Sequence, residues 1–141
     1  MKLARILHAT DFSDASRLAL DRACEFARAS GGEVHVLHVL ELGADDPVSA
    51  DQQLETYVPE SCADVVTGRS TARALRAELG VIHEARVGDY DLVVLGTHGR
   101  SGLRHVFMGS VAERVVQLAP CPVLTVRPAD QTFVHPKEDE R

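Results

Sequence analysis

The chain has 141 residues, a formal charge of −6, 45% hydrophobic and 26% charged residues. That is one domain's worth, able to bury roughly two-thirds of its unfolded surface, and its composition excludes whole-chain disorder and collagen-like or repeat folds. No stretch approaches a membrane span, and an acidic chain is a poor general binder of nucleic acid or anionic lipid.

The first apolar run, Leu3 to Ala9, reads as a buried strand bounded by Thr10-Asp11. The acid at Asp11 arrives before a signal-peptide core can build, so a cytoplasmic protein is expected. Ser13 can cap a helix from Asp14 to Ala29. Ala15, Leu18, Ala19, Ala23, Phe26 and Ala27 recur there at three- and four-residue steps, the signature of a packed face. Gly31-Gly32 closes that helix, because glycine accepts the left-handed backbone a helix end often needs. Val34 to Leu40 is a second strand rich in β-branched residues. Strand, helix and strand in about forty residues form a βαβ unit and imply a parallel sheet with right-handed crossovers.

From Glu41 to Gly68 the pattern weakens, leaving a loop with a short helix near Ser49–Tyr57. Ser70 to Leu79 reads as a helix closed by Gly80. Asp91 to Gly96 is a buried strand, 99–108 a loop, and Ser110 to Leu118 a helix opened by the capping box Ser110-Val-Ala-Glu113. Val123 to Val126 is the last strand. Residues 1–128 make the domain, and 129–141, ending PKEDER, a frayed charged tail.

The chemistry is concentrated between Gly96 and Ser110, where Gly96, Gly99 and Gly109-Ser110 follow a G-x2-G-x9-G-S spacing. The stretch leaves the carboxyl end of a strand and enters a helix, the edge at which open α/β sheets bind ligands. Glycines let backbone N–H groups approach an anion, and the helix start adds further donors and a positive dipole end. Arg100 and Arg104 make the loop locally basic. Together these features suggest a polyphosphate cradle. A simple turn and a capping Ser110 explain the same residues without a ligand.

Other chemistries are less well served. No lysine occurs between Lys2 and Lys137, so a P-loop ATPase is excluded. Gly-x-Ser-x-Gly and HExxH motifs are absent. His35 and His38 point to opposite faces of their strand and do not pair as metal ligands. His98 and His105 read as solvated loop residues. Cys24, Cys62 and Cys121 form no CxxC pair and read as small buried or half-buried thiols.

ATDFS at 9–13, DLVVLG at 91–96, the glycine spacing and GSVAERVVQLAPCPVLTVR at 109–127 together resemble the universal stress protein family, over about residues 3–40 and 81–128. The resemblance implies a flavodoxin-like parallel sheet flanked by helices, ATP binding, and a homodimer through the last strand, Val123–Val126. It places Ala9, Thr10 and Asp11 beside the nucleotide and Val39 against adenine. Gly96, Gly99, Gly109, Ser110 and Val111 would line the ribose and phosphates, with Arg100 in the same loop. Asp11 is the candidate magnesium-linked acid, or else a turn aspartate. A binding module is expected to signal through ATP-dependent conformational change. A slow ATPase and a nucleotide-free scaffold are the alternatives.

Residues 80–91 are too few for the edge strand and helix that relatives carry there. A strand over 81–87 would leave three residues, about 10 Å, for a parallel crossover that needs a dozen or so. Helical 81–87 and a lost edge strand are therefore expected, giving a sheet shortened to four strands in the family order 2-1-4-5. The bare edge of the His35–Leu40 strand would be covered by the 41–70 segment or a partner chain.

Overall fold

The computed structural model describes residues 2–43, 46–97 and 109–128. The elements run β1 (Arg5–Ala9), α1 (Asp14–Ser30), β2 (Glu33–Glu41), α2 (Pro47–Tyr57), a 3-10 turn at Glu60–Cys62, β3 (Val66–Ala74), α3 (Ala77–Val87), β4 (Leu92–Gly96), α4 (Ser110–Leu118) and β5 (Val123–Val126). The sheet is parallel throughout, in the order β3-β2-β1-β4-β5. The direction of strand addition reverses between β1 and β4, so a crevice opens there at the carboxyl ends. Among the described residues no helix is long and apolar enough to cross a membrane.

Two cores flank the sheet. Ile6, Val34, Val36 and Val94 pack against α1 and α2, while Leu7, Leu37, Val39, Val93 and Leu95 pack against α3 and α4. Ile6, Leu7, Val93 and Val94 are fully buried. Each such side chain contributes about 1.5–3 kcal/mol relative to exposure. The α1 stripe is mostly small: Ala15, Ala19, Ala23 and Ala27, with Leu20 and Cys24 beside them. It lets the helix approach the strands closely. Phe26, expected on that face, is exposed, because the buried arc runs through Leu20 and Cys24.

The expected flavodoxin-like architecture is present, but the shortened four-strand sheet is not. Residues 66–74, part of which read as a helix, form the edge strand β3 on the open side of β2. The alanines of STARALRAEL carry high helix propensity, but their neighbours alternate at period two. Past a bulge opposite Val34 and His35, Gly68, Ser70, Ala72 and Ala74 are part-buried, with Arg69 and Arg73 exposed between them. Arg69 uses its guanidinium on the carbonyls of Leu54 and Glu55 at the end of α2. Helical 81–87 is borne out as part of α3. The β2–β3 crossover carries α2, eleven residues long, and the 3-10 turn.

Candidate functional site

A cavity of about 280 Å³ opens at the reversal point. Ala9, Thr10 and Asp11 follow from β1, Leu37 to Val39 and Glu41 from β2, and Leu95, Gly96 and Thr97 from β4. Ala77 and Val81, one turn apart on α3, close one side, and Gly109 to Ala112 bring the start of α4 to the other. Ala9, Thr10, Asp11, Val39, Gly96, Gly109, Ser110 and Val111, singled out from the sequence, thus converge on one hollow. Gly99 and Arg100 lie outside the described residues, as do His98, His105 and the 129–141 tail.

Two details of the glycine cradle differ from expectation. A Cβ on Gly96 would lie 3.1–3.2 Å from the Ala15 backbone and Cβ, so this glycine makes room for α1. The Gly109 N–H is already used, donating to the Thr97 carbonyl at 2.5 Å and closing the loop on itself. The donors at the helix mouth are instead the first-turn amides of Ser110, Val111 and Ala112, which have no intrahelical acceptor.

The capping box does not form either. Gly109 is the N-cap, with extended backbone at φ −69° and ψ 164°, and its carbonyl accepts from the Glu113 N–H at 3.0 Å. That puts Ser110 inside the helix and Glu113 one position too far along to close the box. The Ser110 hydroxyl is therefore not spent on capping, and it lies on the cavity wall.

The β1–α1 turn is held in a constrained shape. Phe12 has φ 67°, rare for a bulky side chain. Its ring packs 4.4 Å from His38 and edge-on to Tyr57 at 5.5 Å. The Phe12 N–H donates to Thr10 Oγ1, and the Ser13 N–H donates to Asp11 Oδ1 at 3.0 Å. Asp11 is thus a turn aspartate and a cavity residue at once. Ser13 caps α1 as expected, accepting from the Ser16 N–H.

Beneath the turn runs a buried polar chain that the sequence did not reveal. His8, fully buried on β1, donates from Nδ1 to the Val94 carbonyl at 3.0 Å. Burial pushes its pKa down to about 4, so the ring is neutral and Nε2 accepts from the Tyr57 hydroxyl at 2.8 Å. Burial likewise pushes Tyr57 up to about 12. Ser16 Oγ is hydrogen-bonded to Tyr57 at 2.8 Å and to Thr10 Oγ1 at 2.5 Å. His38 donates from Nδ1 to the Thr10 carbonyl at 2.7 Å. Thr10 is thereby fixed from three sides. Tyr57 could not be foreseen: it reaches His8 across 49 residues, and nothing local marks that contact.

Ser13, Ser16, His38, Glu41, Thr97, Ala77 and Val81 also line the cavity and were not singled out. Strand register offers a signal for His38 and Glu41, which flank Val39 at the same carboxyl edge. The Glu41 carboxylate accepts from the Ala77 N–H at 3.2 Å, tying the start of α3 to β2. Among the described residues no three His, Cys, Asp or Glu side chains group as metal ligands.

The apolar wall is tightly built. A Cβ on Gly80 would lie 2.7 and 2.8 Å from the two Val39 methyl groups. Gly80→Ala should gain about 1 kcal/mol of helix propensity and lose more, about 1–3 kcal/mol, to overpacking. The expected result is a lower Tm by thermal denaturation. A raised Tm would mean that Val39 yields freely.

Fold and cavity define a doubly wound α/β protein with a ligand crevice at its switch point. The model of the universal stress protein family matches residues 2–127, and the chain belongs to that family. It is 32% identical over 148 residues to universal stress protein YxiE of Bacillus subtilis, covering 87% of this chain and 98% of that one. Two solved structures are each 26% identical with a TM-score of 0.68. One is the universal stress protein of Archaeoglobus fulgidus in complex with dAMP, covering 89% of this chain and 99% of that one. The other is a universal stress protein in complex with cAMP, covering 90% of this chain and 98% of that one.

Proposed function

We propose that the chain binds an adenine nucleotide, ATP in the loaded state, in the switch-point cavity and acts as a nucleotide-dependent stress-response module. The observation that carries this reading is the convergence of the β1 end, Val39 and the α4 start on one hollow. The Ser110–Ala112 amides and the positive end of the α4 dipole would hold phosphate. Val39, Ala77 and Val81 would take the base, and Asp11 a magnesium ion on the phosphates. The two nucleotide-bound relatives support adenine as the base. Readout would pass through a homodimer made by β5, whose Val123, Leu124 and Val126 are apolar and half-buried. The reading assigns no catalytic residue, and slow ATP hydrolysis is its variant.

A nucleotide-free scaffold is the competing reading. It is favoured by Gly96 and Gly109, whose packing against Ala15 and hydrogen bond to Thr97 explain them without a ligand. Mass spectrometry of gently purified protein for ATP, with a thermal shift in MgATP, separates the two. Ser110→Pro sharpens the test. Proline suits the first helical position, and the extended Gly109 before it tolerates the ring. The substitution removes one amide donor and the hydroxyl while keeping the helix. A hydrogen bond to a charged group is worth about 1.5–3 kcal/mol, so ATP affinity should fall at least about tenfold with Tm nearly unchanged. Unchanged affinity would remove α4 from the site.

A further inference from the structure

Cys24 on α1 and Cys62 in the 3-10 turn are 0% and 2% exposed, in the same apolar cluster, and both are free thiols. A separate set of bonds fixes the turn that carries Cys62 against α1. Arg28, one helical turn beyond Cys24, grips Asp64 through two hydrogen bonds of 2.9 Å and donates to the Ser61 carbonyl. Ser61 and Asp64, which flank Cys62, are thereby held down on α1 one turn from Cys24, in the cluster that both thiols share. Cys121 lies elsewhere, beside the start of β5 against the α3–α4 core.

We propose that Cys24 and Cys62 form a built-in dithiol that closes to an intramolecular disulfide under hydroperoxide, stapling α1 to the β2–β3 crossover. In the resting protein the pair is protected. Burial pushes the Cys24 thiol far above its ordinary range, and a protonated thiol is a poor nucleophile. Reaction requires the 60–64 turn to lift, which breaks the exposed Arg28 contacts, takes Cys62 out of its apolar packing and bares it first. The Cys62 thiolate then attacks the peroxide oxygen, releasing alcohol and leaving a sulfenic acid. As the turn reseats, Cys24 attacks that sulfur, the S–S bond forms, and water leaves. Two thiols and one hydroperoxide thus give one disulfide, one alcohol and one water, the thiols losing the two electrons the peroxide gains. The crosslink closes a long loop in the unfolded chain and so stabilises the fold.

The 141-residue chain carrying Cys121→Ser, which removes the third thiol, is treated with tert-butyl hydroperoxide and mapped by non-reducing peptide mass spectrometry. The expected product links the Cys24 and Cys62 peptides with loss of two hydrogens, and its Tm is higher than that of the reduced protein. Arg28→Ala should speed its formation several-fold by loosening the turn. In Cys24→Ala, Cys62 should be trapped as a dimedone adduct; if that variant does not fold, the peptide map alone decides. Oxidation of Cys62 to sulfinic acid without a link, disulfides only between chains, or a rate equal to global unfolding in urea would each overturn the proposal.

Discussion

Gly32→Ala is expected to destabilise the protein by about 3 kcal/mol or more and lower Tm by roughly 10 °C. A Cβ there would lie 2.1 Å from the Leu3 carbonyl oxygen and 2.9 Å from that of Ala4. Neither oxygen can withdraw cheaply. The Leu3 carbonyl accepts from Ser30 Oγ, and the Ala4 carbonyl accepts from the Glu33 N–H that starts the β1–β2 ladder. Gly31, one residue earlier, is the contrast. It caps α1 at φ 72° with open space around its Cβ position. Alanine there meets only the left-handed backbone penalty, about 1–2 kcal/mol. Urea denaturation of the two variants side by side checks the ranking, and equal losses would show that β1 can shift away.

Acidification from pH 7 to pH 4 is expected to remove about 3 kcal/mol through His8 alone. The folded ring resists protonation down to about pH 4, whereas an unfolded histidine takes a proton near 6.5. Between those values the unfolded state binds more protons, so stability is full above about pH 6.5 and falls as pH falls. His35, also pushed down by burial, acts in the same direction. Carboxylates titrate near the acid end as well, so the measurement is a difference. His8→Gln should be less stable at pH 7 but show a flatter dependence on pH between 6.5 and 4. Parallel slopes for the two proteins would mean that His8 is protonated in the fold.

Local pattern made most of the architecture legible. β1, α1, β2, β4, α4 and β5 announce themselves through apolar runs, an N-cap serine and closing glycines. β3 does not, because an edge strand buries little and its small residues also suit a helix. The crossover argument for residues 81–87 held because chain length is a hard constraint. The companion inference about the missing strand failed because it rested on reading 70–79 as a helix. At the site, motif spacing brought out the positions but misassigned several causes. Gly31 and Gly32 stand together for unrelated reasons, a backbone angle and a carbonyl. Gly96 answers to Ala15, and Gly109 to Thr97. Spacing cannot distinguish these, since all but Gly31 depend on a neighbour distant in the chain.

The outward arginines of β3 have a further effect on assembly. Laid antiparallel against a copy of itself, that border would bring Arg69 and Arg73 of two chains side by side, and like charges opposite one another repel. Only the β5 border is uncharged along its length. If the proposed pairing through β5 forms, the charged β3 border leaves no second side for growth, and assembly stops at a closed pair.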